Sequence, residues 1–156
     1  MKWVLDGSAI NHVARASANF NTTFAALTPL VVAGELTFCD QVVVELGRTA
    51  EGDAGSLWAD TVKGQRVHET APYATQRWVV QNVERIVDTD DRYDCAAQVL
   101  AQARSLIENG AEELAVVTED TEDKPTRRAL SDACDALGIP WLGVPGMMAA
   151  CAIPWP

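Results

Sequence analysis

The 156-residue chain is 48% hydrophobic, which suits one compact domain with a sizeable core and argues against global disorder. No apolar run approaches the roughly 18 residues of a membrane span, and Asp6 interrupts the opening stretch too soon for a signal peptide, so a cytoplasmic protein is expected. A formal net charge of −10 argues against binding nucleic acid through bulk positive charge. The acids are concentrated, however. Asp88, Asp90, Asp91 and Asp94 fall within seven residues, and Glu119, Asp120, Glu122 and Asp123 within five. A site of that kind, neutralised by cations, makes net charge a misleading guide.

Residues 2–5 read as a short buried strand ending at Asp6-Gly7, and Ser8 as the cap of a helix reaching Ala16. Asn21-Thr22-Thr23 opens a second helix, which Pro29 is expected to shorten or kink. Leu36–Cys39 suits a second strand, and Asp40 then caps a helix over Gln41–Thr49. Helices are expected at about 56–66 and 74–84, separated by Pro72, while Arg85–Asp88 is either a short strand or a helix end. A long helix runs from about Asp91 to Glu108 and stops before Asn109-Gly110. Leu114–Thr118 is a strand, Asp123 with Pro125 marks a helix start, Gly138 marks its end, and Pro140–Val144 is a last strand. This alternation predicts a single α/β domain over 1–156, its mostly parallel central sheet flanked by helices on both faces.

Parallel sheets form their sites beyond the carboxyl ends of the strands. Asp6 follows the first strand directly, and Asp120 follows the Leu114–Thr118 strand by two residues. Glu45 sits within Val42-Val43-Val44-Glu45-Leu46, where it either faces outward or is paired, because burying a lone carboxylate costs several kcal/mol. Asp94 falls in the expected first turn of the long helix, where the dipole favours an acid. Taken singly, each residue also fits a turn, a cap or a solvated face. Four cysteines (Cys39, Cys95, Cys134, Cys151) without a Cys-x-x-Cys pair, and only His12 and His68 beside them, suggest buried thiols rather than a zinc site. Trp3 and Trp141, in expected strands, read as core residues, and Trp155 is free to pack on a partner chain.

As an ordered set, four segments resemble the PIN-domain family and, more loosely, the toxin ribonucleases of VapBC-type pairs. They are Val4-Leu5-Asp6-Gly7-Ser8-Ala9-Ile10, Val44-Glu45-Leu46, Tyr93-Asp94-Cys95-Ala96-Ala97 and Val116-Val117-Thr118-Glu119-Asp120. Ile139–Met148 also resembles the family's end. The resemblance implies a cytoplasmic endoribonuclease with Mg²⁺ or Mn²⁺ held by Asp6, Glu45, Asp94 and Asp120, with Ser8, Asp91 and Asp123 as auxiliaries. It also implies an RNA substrate and, as further partners, a homodimer or an antitoxin protein. Gly7 departs from the Thr common after the first acid, which removes a side chain but no ligand. Arg48, Arg127 and Arg128 lie near the ligand-bearing segments and could hold phosphates, but the usual exposure of arginine favours solvated surface charge. Crowded carboxylates repel when no metal is present, so neutralising Asp6 or Asp120 is expected to leave metal-free melting unchanged or raised.

Two other readings compete. A non-catalytic module would keep this fold and bind a protein or RNA, which the net charge favours. A haloacid-dehalogenase-like phosphatase would use Asp6 as nucleophile, but that family expects a second acid where this chain has Ser8.

Overall fold

The computed structural model describes residues 1–66 and 70–156, so His68 lies outside the described residues. Four strands, β1 (Lys2–Leu5), β2 (Leu36–Thr37), β3 (Leu114–Val117) and β4 (Trp141–Leu142), form one sheet in the order β2-β1-β3-β4. Every pairing is parallel, with Leu5 opposite Val117, Val4 opposite Thr37 and Val116 opposite Trp141. The α/β class expected from the sequence is therefore present.

Parallel neighbours need crossovers, and helices supply them. Among the described residues these are α1 (Gly7–Ala16), α2 (Phe20–Val32), α3 (Asp40–Thr49), α4 (Ala54–Val62), α5 (Tyr73–Asn82), α6 (Ala96–Glu108), α7 (Leu130–Leu137) and α8 (Val144–Ala150). Successive strand residues point to opposite faces. In the central strands Val4, Leu5, Val116 and Val117 are all fully buried, so both faces of the sheet are covered. One continuous core runs from Trp3 to Met148 and includes Phe38, Leu46, Leu100 and Leu130. At its edge Trp58 stacks on Phe24 with ring centroids 4.8 Å apart and donates its indole N–H to Thr28 at 3.0 Å.

Several boundaries differ from the expected ones, each for a local reason. The cap of α1 is Asp6, whose Oδ1 accepts the Ala9 N–H at 2.8 Å, and not Ser8. Helix α2 begins after Asn19, whose side chain accepts the Thr22 N–H, and it continues through Pro29 to Val32. Strand β2 is two residues long, because Phe38 and Cys39 already turn towards α3. Asp40 lies inside α3 and makes no cap bond; its carboxylate pairs with Arg66. Arg85–Asp88 belongs to neither helix nor strand, and Arg85 has a positive φ of 59°.

Helix α6 starts at Ala96 and not at Asp91. Asp91 accepts the Tyr93 N–H at 2.9 Å, an Asx turn that competes with helix and holds residues 91–95 in a loop. Likewise Asp123 and Pro125 open no helix. Lys124 and Arg127 close a tight antiparallel bridge, and α7 begins only at Leu130. Gly138 ends α7 in the left-handed region at φ 67°, as its position implied. Helix α8 follows β4 immediately, with Pro145 in its first turn.

The cysteines are free, and Cys39, Cys95 and Cys134 are buried. Trp3 is core, whereas Trp141 is half-buried and donates its indole N–H to Asp135 at 2.9 Å. Trp155 packs 5.7 Å from the His12 ring of its own chain. Among the described residues no helix is long and apolar enough to cross a membrane.

Candidate active site

The register of the two central strands builds the site. Because Leu5 pairs with Val117, the next residues of each strand, Asp6 and Thr118, emerge side by side at the carboxyl edge. The Asp6 N–H donates to Val117 O at 3.2 Å, and the Thr118 hydroxyl donates to Asp6 Oδ2 at 2.6 Å. Ser8 donates to the same carboxylate at 2.8 Å and accepts the Glu119 N–H at 2.9 Å. Thr118 in turn accepts the Asp120 N–H at 3.0 Å. The hydroxyls of Ser8 and Thr118 thus stitch the Asp6 turn to the Asp120 loop. Burial pushes the Asp6 carboxyl up to about 6; hydrogen bonds from Thr118, Ala9 and Ser8 oppose the shift, and the charge of Asp120 adds to it.

Glu45 enters from α3. Its helix buries Val42 and Leu46, and Glu45 lies beside that stripe, half-buried, while Val44 on another face is exposed. Its Oε2 accepts the Cys95 N–H at 3.0 Å. Its Oε1 occupies the space that a Cβ on residue 7 would take, so the bare backbone of Gly7 is what admits Glu45 in this position. Burial lifts the Glu45 carboxyl to about 7. The Cys95 hydrogen bond opposes this, and the charges of Asp94 and Asp6 reinforce it.

Asp94 sits in the loop before α6, one residue ahead of the Cys95 amide that holds Glu45. Asp94 and Asp120 share one partner. Arg127 Nη2 donates to Asp120 Oδ2 at 2.6 Å, and its Nε lies 3.0 Å from Asp94 Oδ2, without the alignment of a hydrogen bond. Arg127 is buried, its side chain 3% exposed, and Asp94 and Asp120 are partly buried, with side chains 8% and 11% exposed. Burial raises the Asp94 carboxyl, with the Arg127 charge pulling it back. Burial also works against the Arg127 cation, and the Asp120 hydrogen bond and Asp94 charge more than restore it.

All four sequence-predicted acids, with Ser8, Asp91 and Asp123, line one open cleft of about 670 Å³. Asp123 also accepts the Ala129 N–H at 2.7 Å and so anchors the loop before α7. Of the three arginines expected as solvated charges, Arg48 is exposed and Arg127 is not. Arg127 is buried between two acids, Arg128 pairs with Asp132, and the Arg48 guanidinium stacks 4.8 Å above the Tyr93 ring. Lys124 is the cation at the cleft rim; it is exposed, and no hydrogen bond or ion pair engages its ammonium among the described residues. The sequence reading missed Thr118, although a hydroxyl residue directly after a strand that flanks Asp6 was a usable signal. It also missed the pairing role of Arg127, for which the sequence carried no periodic signal.

As placed, no three His, Cys, Asp or Glu side chains among the described residues close on one point as metal ligands. Each carboxylate is drawn to an internal donor: Asp6 to Ala9, Ser8 and Thr118, Glu45 to Cys95, and Asp94 and Asp120 to Arg127. The donor set itself fits a hard divalent ion, since it consists of oxygen ligands from four segments in a single cleft. Among the described residues no ion pair reaches its Asp6–Glu45 side, and both carboxyls there are held above their ordinary range.

Fold and site define an α/β domain with an acidic cleft at the carboxyl edge of a parallel sheet. The chain belongs to the family described as Domain of unknown function (DUF4411), whose model matches residues 3–154. No curated protein matches the sequence.

Proposed function

We propose that this domain is a PIN-type, metal-dependent ribonuclease working in the cytoplasm. The observation that carries the reading is the convergence of Asp6, Glu45, Asp94 and Asp120, from four separate segments, on one cleft at the carboxyl edge of a parallel sheet. Acids brought together against their mutual repulsion imply a positive charge that offsets the cost, and among the described residues none pairs with the Asp6–Glu45 side.

Asp6 and Glu45 would hold a Mg²⁺ or Mn²⁺ ion, with Asp94 and Asp120 contributing from the other side. When bound, such an ion polarises a phosphodiester and supplies a nucleophilic water at neutral pH. The chain's own residues do the rest. Ser8 and Thr118 fix the Asp6 carboxylate through their hydroxyls. The Cys95 amide fixes Glu45. Lys124 at the rim meets the incoming phosphate backbone of the RNA. Asp6 and Glu45, both raised by burial, would hold the ion in their ionised form, so metal binding would release protons where either is protonated. A toxin role with an antitoxin partner, and a homodimer, are consistent with this reading and carry no part of it.

Purified chain incubated with single-stranded and structured RNA is the test. Cleavage is expected with Mn²⁺ or Mg²⁺, and loss of cleavage with EDTA or with Asp6→Asn. RNA bound but left intact, across varied substrates and with any partner removed, would instead identify a non-catalytic module.

A further inference from the structure

Arg127 makes two of the four acids unlike the others. Its side chain is 3% exposed and its backbone is clamped, with the Lys124 N–H donating to Arg127 O at 2.8 Å and the Arg127 N–H to Lys124 O at 3.3 Å. Its Nη1 donates to Arg128 O at 2.7 Å. The guanidinium therefore cannot leave without opening the loop from Asp120 to Arg128. Its buried Nε has no aligned hydrogen-bond acceptor, although Asp94 Oδ2 lies 3.0 Å away. The guanidinium lies between Asp94 and Asp120 and touches one oxygen of each.

One cation bridging two carboxylates is the arrangement that a second metal ion would give in a two-ion cleft. We propose that Arg127 is a built-in counter-cation that takes the second ion's place between Asp94 and Asp120, so that the cleft binds a single divalent ion on its Asp6–Glu45 side. This rests on the metal-dependent reading above. A second ion beside Asp94 and Asp120 would lie against a buried guanidinium that does not deprotonate. Arg127 is in these terms a positioning residue: it holds Asp94 and Asp120 in place through a fixed charge, while the ion is exchangeable.

The test counts Mn²⁺ bound per chain, by calorimetry and by electron paramagnetic resonance of free Mn²⁺, on the full chain. One ion is expected in the parent and in Arg127→Lys, which keeps the charge. Two are expected in Arg127→Gln, with circular dichroism checking that the variant is folded in Mn²⁺. Two ions in the parent would overturn the proposal and leave the metal-dependent reading standing. No ion in the parent would overturn both. A single ion in folded Arg127→Gln would show that Arg127 is not what limits the count. If Arg127→Gln does not fold, the parent and Arg127→Lys decide: one ion in each supports the proposal, and two in either overturns it.

Discussion

The two sides of the acidic cleft solve the same electrostatic problem in opposite ways. On one side Asp94 and Asp120 pack against the buried Arg127, so the protein carries its own counter-charge. On the other, Asp6 and Glu45 have hydroxyl and amide donors but, among the described residues, no paired cation, and burial lifts both carboxyls. The first side is a structural ion pair, which is costly to break once buried. The second stores unfavourable charge that a proton or a metal ion relieves. A cluster of acids is therefore not one object. Neighbouring carboxylates serve stability or binding according to whether the fold supplies their partner.

The largest expected effect separates the sides by stability. Asp120→Ala removes the hydrogen-bonded acceptor of a buried guanidinium. Breaking a buried pair costs about 3–5 kcal/mol, and the lower end applies here because Asp94 remains beside Arg127. Urea unfolding in EDTA measures it. The expectation from sequence, that neutralising Asp120 leaves metal-free melting unchanged or raised, took no account of its pairing with Arg127. Glu45→Gln, on the other side, keeps the oxygen that accepts the Cys95 N–H and sheds a repelled charge, so it is expected to lose none of that stability. Equal losses in the two variants would erase the distinction.

A smaller effect appears in pH. Asp6 rises from 3.8 to about 6 and Glu45 from 4.5 to about 7, so the folded state binds protons more tightly than the unfolded chain. Between about pH 4 and pH 7 the native protein holds the extra protons, and linkage makes stability fall as pH rises through that window. Metal-free protein is accordingly expected to melt roughly 5 °C higher at pH 5.5 than at pH 8, taking on the order of 2 kcal/mol after screening. Saturating Mn²⁺ should reverse the trend, because protons then compete with the ion. Calorimetric scans across pH, with and without EDTA, read both signs. A metal-free melting temperature that falls steadily towards pH 5.5 would mean that this side is compensated as well.

What the sequence made legible follows the same division. Asp6 was readable because a strand of Trp3-Val4-Leu5 ends on it, and Asp120 because Leu114–Val117 ends just before it. Both inferences need only local periodicity and the rule that parallel sheets open their sites at one edge. Glu45 was readable only within the ordered set, since its Val-rich surroundings do not reveal that it lies beside the buried stripe of α3. Arg127 was misjudged because its partners are seven and thirty-three residues away in sequence, and long-range ion pairing leaves no period. Asp123 with Pro125 looked like a helix start, where the chain instead folds the bridge that clamps Arg127. The late start of α6 has the same kind of cause: a side-chain turn at Asp91 outweighed the helix dipole. Helix α8 was not expected, because Val144 was read as the end of the last strand; it opens the helix instead, with Pro145 in the first turn.

The most direct test of a shared metal site is the melting temperature of the parent and of Asp6→Asn, each measured in EDTA and in saturating Mn²⁺. Asn keeps an oxygen for the Ala9 cap and removes the charge that Glu45 and Asp120 repel. In EDTA, Asp6→Asn is expected to melt at or above the parent. In Mn²⁺ the parent should gain more than the variant, by about 2.7 kcal/mol at a hundred times the dissociation constant if the variant binds no ion. A variant that melts lower in EDTA and gains as much from Mn²⁺ as the parent would show that Asp6 is only a helix cap and that the acids do not share an ion.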